Sequence, residues 1–203
     1  YEDVASSPVQ FGQVSRPGDI KYKDLNHDGV IDSNDQAPIG YNPVPEMTFS
    51  LTAGLNWKGF DFSVLLQGAT RSSIYLQGDI AWDNSWGNYY EEHIGRWTPE
   101  TAATATYPRF TKAATATHPN YYKSDYWLKD SKYLRLKNIQ LGYTIPRKLL
   151  KKFGVRSLRV YANAYNLFTW DNVKKVDPES SNNSNGQFYP QQKVINFGIN
   201  LNF

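Results

Sequence analysis

Asp24, Asn26, Asp28, Asp32 and Asp35 stand at positions 1, 3, 5, 9 and 12 of one stretch, with Gly29 at position 6 and Val30 at position 7. That is the spacing of an EF-hand loop, in which hard oxygen atoms surround a calcium ion, a glycine allows the sharp turn, and the backbone carbonyl at position 7 completes the set. The chemistry it offers is coordination of a structural Ca2+ rather than a reaction. Asp35 replaces the usual glutamate at the last position, which shortens the reach but keeps a carboxylate. The competing reading is a metal-free cluster of Asx turns, each side chain accepting from nearby backbone N–H groups.

A second group is aromatic: Trp82, Trp86, Tyr89, Tyr90 and Trp97. These rings can stack on sugars, pack on a partner protein, or form the small core of their own loop. His27, His93 and His118 fall in different loops, and no Ser/His/Asp or metal-protease spacing occurs, so the sequence offers no catalytic residues and the chain is not read as an enzyme. Glu91 and Glu92 read as a solvated loop edge. There is no cysteine, so disulfides play no part in stability. A net charge of +3, from 22 basic and 19 acidic residues without a basic stripe, argues against nucleic acid as a partner.

The elements around these residues are strands. With 15 Tyr, 10 Phe and 6 Trp the chain is rich in residues that favour sheets. Residues 1–47 hold Pro8, Pro17, Pro38, Pro43 and Pro45 and read as loop with short strands. Phe49, Leu51, Ala53, Leu55 and Trp57 alternate with small or polar residues over 48–57; Lys58-Gly59 makes a hairpin; Phe60, Phe62, Val64 and Leu66 resume the alternation. Over 132–145 the apolar phase switches from Leu134 and Leu136 to Ile139, Leu141 and Tyr143, which predicts a bulge near Lys137-Asn138. Arg147 to Phe153 predicts two basic helical turns stopped by Gly154, and two more alternating strands cover 157–168 and 195–203.

No apolar run approaches the roughly 18 residues a spanning helix needs, but barrel strands average out as hydrophilic because only alternate side chains meet lipid. The polar phase is mostly Asn, Gly, Ser, Thr, Gln and Tyr, which suits a wet lumen, and aromatic girdles are expected from Trp57 and Phe60 at one end and Tyr133, Phe168, Trp170 and Tyr189 at the other. The short connections 58–59 and 146–156 alternate with the long connections 70–131 and 169–191, as periplasmic turns and extracellular loops do. The expected fold class is therefore all-β: antiparallel strands of a transmembrane β-barrel over 48–203, with long extracellular loops and an extracellular loop region at 1–47. A soluble antiparallel β-domain, calcium-stabilised and serving as a carbohydrate-binding or adhesin module, is the alternative. Five strands cannot close a bacterial barrel, so the remainder of the barrel is an expected partner, as is outer-membrane lipid.

Several segments resemble the C-terminal region of the SusC/RagA-family TonB-dependent outer-membrane transporters. They are Pro17-Gly18-Asp19-Ile20-Lys21-Tyr22-Lys23-Asp24, Arg96-Trp97-Thr98-Pro99-Glu100, Tyr107-Pro108-Arg109, the run Ser124 to Asp130, Tyr133-Leu134-Arg135-Leu136-Lys137-Asn138-Ile139, Leu141 to Pro146, Asn166-Leu167-Phe168-Thr169 and Asp177-Pro178-Glu179. The resemblance implies a barrel of about 22 strands in the cell outer membrane. It further implies an N-terminal plug, energy supplied through TonB, a SusD-like surface lipoprotein as partner, and import of oligosaccharides or peptides. Plug and TonB-contacting parts are expected upstream of this chain. Phe203, closing an alternating strand, resembles the signal read during barrel assembly; as a bland alternative it is one more lipid-facing residue.

Overall fold

The computed structural model describes residues 2–83, 89–112, 117–174, 176–180 and 189–203. In chain order the elements are α1 (Glu2–Ala5), β1 (Val9–Gln10), β2 (Val30–Ile31), β3 (Met47–Trp57), β4 (Phe60–Thr70), β5 (Ser73–Tyr75), β6 (Leu128–Asp130), β7 (Tyr133–Thr144), α2 (Arg147–Leu150), β8 (Ser157–Asp171) and β9 (Val194–Asn202), with short 3-10 turns between them. Two compact units emerge: one from residues up to 40 together with 75–128, the other from 41–74, 129–181 and the final strand region.

The second unit is built on an antiparallel meander in the order β3-β4-β7-β8-β9. Period-2 sequences make the strands, and cross-strand register aligns their phases. Leu51 faces Leu66, Leu66 faces Leu136, and Leu136 faces Phe168; farther along, Ile139 faces Ala164 and Ala164 faces Ile195. One face is thus apolar from edge to edge. It is also uncovered: Leu51 is 61% exposed, Leu55 64%, Phe197 82% and Ile199 69%. A water-soluble sheet would bury such a face.

The opposite face carries Ser50, Gln67 and Arg135 in one row and Gly54, Ser63, Gln140, Asn163 and Asn196 in another. Gly142 has a steric task there. Asp61 and Arg159 belong to strands on either side of it, and the guanidinium Nε donates to Asp61 Oδ1 at 2.8 Å across the space that a Cβ at 142 would fill. Arg159 also lies 4.8 Å from the Tyr161 ring, which covers the bare backbone of Gly198.

The switch of phase in β7 is a bulge at Lys137, since Leu136 and Asn138 pair with the adjacent residues Leu66 and Leu65. β8 is irregular as well. Asn138 pairs with Tyr165 and Leu136 with Phe168, leaving Asn166 and Leu167 opposite Lys137, with Asn166 at φ +51°. Asparagine tolerates that left-handed backbone better than most residues. The aromatic belts need one correction: Phe168 and Trp170 lie on the apolar face, 6.2 Å apart, but Tyr133 belongs to the polar face, where its hydroxyl donates to Glu179 at 2.6 Å. Its odd position in the strand places it in phase with Arg135.

In the first unit, β1 and β2 pair in parallel, Val9 opposite Val30 and Gln10 opposite Ile31. The rest is short turns over a polar and aromatic interior that includes Asp83, His93, Asn120, Tyr107 and Tyr121.

The β3–β4 hairpin turns through Lys58 at φ +47° and Gly59 at φ +91°, the paired positive angles that match strand twist. A Cβ on Gly59 would sit 2.9 Å from the Thr144 carbonyl oxygen. Gly59→Ala is expected to cost at least about 1 kcal/mol, read as a lower urea midpoint of the folded protein, whereas Lys58→Asn leaves the midpoint nearly unchanged.

Candidate functional site

The EF-hand-like stretch is wound by its own hydrogen bonds. Asp24 accepts from His27 N at 2.6 Å and Gly29 N at 2.9 Å; Asp28 accepts from Val30 N at 2.8 Å and from Asn26 Nδ2 at 2.9 Å. Asp35 accepts from Leu25 N at 2.7 Å and, through its other oxygen, from Asp32 N at 2.9 Å, so the end of the loop closes onto the residue after Asp24. His27 at φ +63° and Gly29 at φ +83° supply the sharp turn. Backbone N–H groups of Asp32, Leu25 and Asn26 hold the Asp35 carboxyl below the usual carboxylate range. Among the described residues no three His, Cys, Asp or Glu side chains converge on one point. The stretch keeps the spacing of a calcium loop, and its carboxylates are turned to backbone donors as in an Asx-turn cluster.

The aromatic residues part ways. Trp82 packs on Tyr121 at 5.0 Å, and the Trp97 ring lies over Gly18, where a Cβ would come within 2.6 Å of it. Tyr89 and Tyr90 are exposed, Tyr89 beside Phe110 at 5.4 Å. Trp86 lies outside the described residues. His93 is buried, its Nδ1 accepting from Tyr90 N at 3.0 Å, and His118 Nδ1 accepts from Asn120 N at 3.1 Å; both cap turns. Desolvation keeps His118 below the usual histidine range. Phe203 follows β9 and is exposed.

Two ion-pair junctions tie together motifs that are remote in sequence. In the first unit Arg109 Nε meets Asp19 Oδ1 at 2.7 Å, Asn120 Nδ2 donates to the same oxygen at 3.0 Å, and Arg109 N donates to Gly18 O at 2.8 Å. Trp97 N donates to Tyr107 O at 2.9 Å, so Pro17-Gly18-Asp19, Arg96-Trp97 and Tyr107-Pro108-Arg109 meet at one place. Beside it, buried Asp83 accepts from the Tyr107 and Tyr121 hydroxyls, and desolvation pushes both phenols well above their ordinary value.

In the second unit Arg135, only 2% exposed, donates from Nη2 to both oxygens of Asp177 at 2.8 and 2.9 Å and from Nη1 to Glu179 at 3.0 Å. Its Nε donates to Thr169 Oγ1 at 2.9 Å, and Lys137 Nζ and the Tyr133 hydroxyl reach Glu179 at 2.9 and 2.6 Å. The stretch after β8 is thereby fastened onto the polar face of the sheet. Both motifs are visible in the sequence but their pairing is not; its signal is the Tyr-x-Arg-x-Lys phase in β7 matched by the Asp-x-Glu pair at 177 and 179. Burial raises the Glu179 pKa, but hydrogen bonds from Tyr133 and Lys137 and the charge of Arg135 outweigh it, leaving Glu179 below the usual range.

An antiparallel sheet with an exposed apolar face and a polar face crossed by ion pairs is of the transmembrane-barrel class. Comparisons agree. No family model matches the chain. It is 31% identical to TonB-dependent receptor P26 of Formosa agariphila over its full length, and 26% identical to TonB-dependent receptor SusC of Bacteroides thetaiotaomicron over 95% of its length. It spans about a fifth of those relatives, 21% and 18%. Its fold matches a chain of the RagAB peptide importer in the open-open state with a TM-score of 0.65 at 23% identity, covering 86% of this chain and 19% of that one; the closed-closed state gives 0.65 at 22%. The chain is a SusC/RagA-like region of the TonB-dependent receptors.

Removing one partner of a buried ion pair costs about 3–5 kcal/mol, so Arg135→Gln is expected to free the 171–180 stretch, read as new protease cleavage there. Because the Glu179 pKa is lowered in the folded state, its contribution is complete above the ordinary glutamate range and is lost as pH falls below it. Glu179→Gln removes that part of the acid sensitivity, checked by urea midpoints between neutral and acid pH.

Proposed function

We propose that the chain forms the C-terminal barrel strands of a TonB-dependent outer-membrane importer of oligosaccharides or peptides, working with a SusD-like lipoprotein and drawing energy from TonB through upstream parts. The observation that carries this reading is the apolar face of the five-stranded sheet, exposed from β3 to β9, opposite a face of polar side chains and ion pairs. Hydrocarbon suits the first and a wet lumen the second. The edges of β3 and β9 are the places where the rest of the barrel pairs. Similarity to TonB-dependent receptor SusC and to the RagAB peptide importer supports import as the activity, and the second name supports peptides as cargo; oligosaccharides rest on the resemblance of the sequence motifs.

In this reading the long connections face outward. The 24–35 loop takes up Ca2+ through Asp24, Asn26, Asp28, the Val30 carbonyl, Asp32 and Asp35, which stiffens an outer loop without doing chemistry. Among the described members of the aromatic group Tyr89 and Tyr90 are the exposed ones and supply contacts to cargo or lipoprotein; Phe203 serves barrel assembly.

The full-length receptor is expected to remain with membranes in buffer and to require detergent for extraction. Recovery of a monodisperse protein in plain buffer, with Ile195, Phe197 and Ile199 shielded, would instead establish the soluble calcium-stabilised domain. For the loop, millimolar calcium is expected to suppress proteolysis within 24–35, and the Asp24→Asn/Asp28→Asn double variant to lose that protection; equal cleavage with and without calcium contradicts the ion.

A further inference from the structure

From Lys132 to Trp170 the sequence contains nine lysines and arginines and no aspartate or glutamate. Four of the nine are matched by carboxylates from elsewhere in the chain. Lys132 pairs with Asp130 at 2.9 Å, Arg135 with Asp177 at 2.8 Å, Lys137 with Glu179 at 2.9 Å, and Arg159 with Asp61. The other five, Arg147, Lys148, Lys151, Lys152 and Arg156, all fall in the connection between β7 and β8, and among the described residues none has a carboxylate within ion-pair distance. The near balance of charge over the whole chain conceals this concentration.

The connection is tied to the end of the sheet at both of its ends. Ile145 N donates to Leu158 O at 2.9 Å, Arg156 N donates to Asn202 O at 2.8 Å, and Gly154 at φ +70° stops the helical turns between them. Leu150 is turned inward and 6% exposed, while Leu149 and Phe153, one helical turn apart, are 64% and 77% exposed. Unpaired cations therefore alternate with outward apolar side chains. The same end of the sheet carries Phe60 against Tyr143 at 4.5 Å and Lys58 over Trp57 at 4.9 Å, so the exposed apolar face of the sheet ends in an aromatic belt beside these cations.

We propose that the 145–156 connection is an interfacial anchor that binds the phosphates of anionic glycerophospholipid headgroups in the leaflet at the short-connection end of the barrel. Lysine and arginine stems run along apolar surface while their charges reach the headgroups, and Leu149 and Phe153 enter the boundary between headgroup and acyl chain. Charge complementarity favours anionic lipid, and the interleaved apolar side chains favour a membrane over a nucleic acid, which offers them no apolar phase. The proposal rests on the barrel reading given above.

The test uses the full-length receptor in nanodiscs of phosphatidylcholine containing a minor fraction of phosphatidylglycerol, with native mass spectrometry of the retained lipids. The wild-type receptor is expected to enrich phosphatidylglycerol, and rising salt to weaken the enrichment. Lys148→Gln/Lys151→Gln/Lys152→Gln is expected to lower it at least tenfold, at about fivefold per charge removed. The matching Lys→Arg variant keeps it, which separates lost charge from a disturbed fold. Equal enrichment by the wild-type and glutamine variants, salt-independent enrichment, or none in a receptor that inserts normally overturns the anchor and leaves the barrel intact; capture of an acidic protein in place of lipid does the same. A receptor that never enters the disc overturns the barrel reading itself.

Discussion

Side-chain alternation in register across β3, β4, β7, β8 and β9 is the constraint on which everything else depends. Side chains in a strand alternate, so a slip of one residue in any pairing would carry Leu51, Ile139 or Phe197 to the polar face and Arg135 or Arg159 to the apolar one. Burying an unpaired guanidinium in hydrocarbon is far costlier than any hairpin turn can offset, and this penalty selects the register. The bulges at Lys137 and Asn166 belong to the same constraint. They absorb extra residues while returning Leu134, Leu136 and Phe168 to the apolar phase.

Connections are secured by buried charge as well as by aromatic packing. The stretch after β8 lies on a polar face and has little hydrophobic area to gain, so it is ordered by charge-assisted hydrogen bonds from Arg135 to Asp177 and Glu179; in the other unit Arg109 meets Asp19. Such junctions are specific because each nitrogen of the buried guanidinium has its own acceptor, and a displaced loop would leave that charge unpaired. They also explain why the motifs of the sequence come in charge-complementary pairs. Where no partner carboxylate is supplied, at 147–156, the cations remain directed outward, unlike Lys132, Arg135, Lys137 and Arg159, each of which meets a carboxylate.

The strands were legible in the sequence because period-2 alternation is local and is imposed by the two environments. The Lys137 bulge was legible for the same reason, since the apolar phase changes parity across it; the one at Asn166 was not, because Ala164 and Phe168 keep the same parity. β8 extends to Asp171, past the alternation of 157–168, because Thr169, Trp170 and Asp171 pair with Arg135, Leu134 and Tyr133. Gly68, Ala69 and Thr70 show no alternation and are drawn into β4 by pairing with β3 and β7. The twelve-residue spacing of the 24–35 loop was visible as spacing, but the direction of each carboxylate was not.

What the sequence alone determined, then, is the class of architecture, the phase of each strand and the identity of the motifs, because each is written in neighbouring residues. Only the tertiary structure decided which motifs meet. Arg135 and Asp177, or Asp19 and Arg109, are brought together by chain segments that fold back from afar, and no local periodicity encodes a contact across such separations. The same holds for Tyr133, whose aromatic character suggested a membrane belt until pairing with Ala69 and Asp171 fixed it on the polar side. Composition is a sum over the chain, whereas ion pairing is a matter of position, so only the fold separates the cations that are neutralised from those left free to meet a partner.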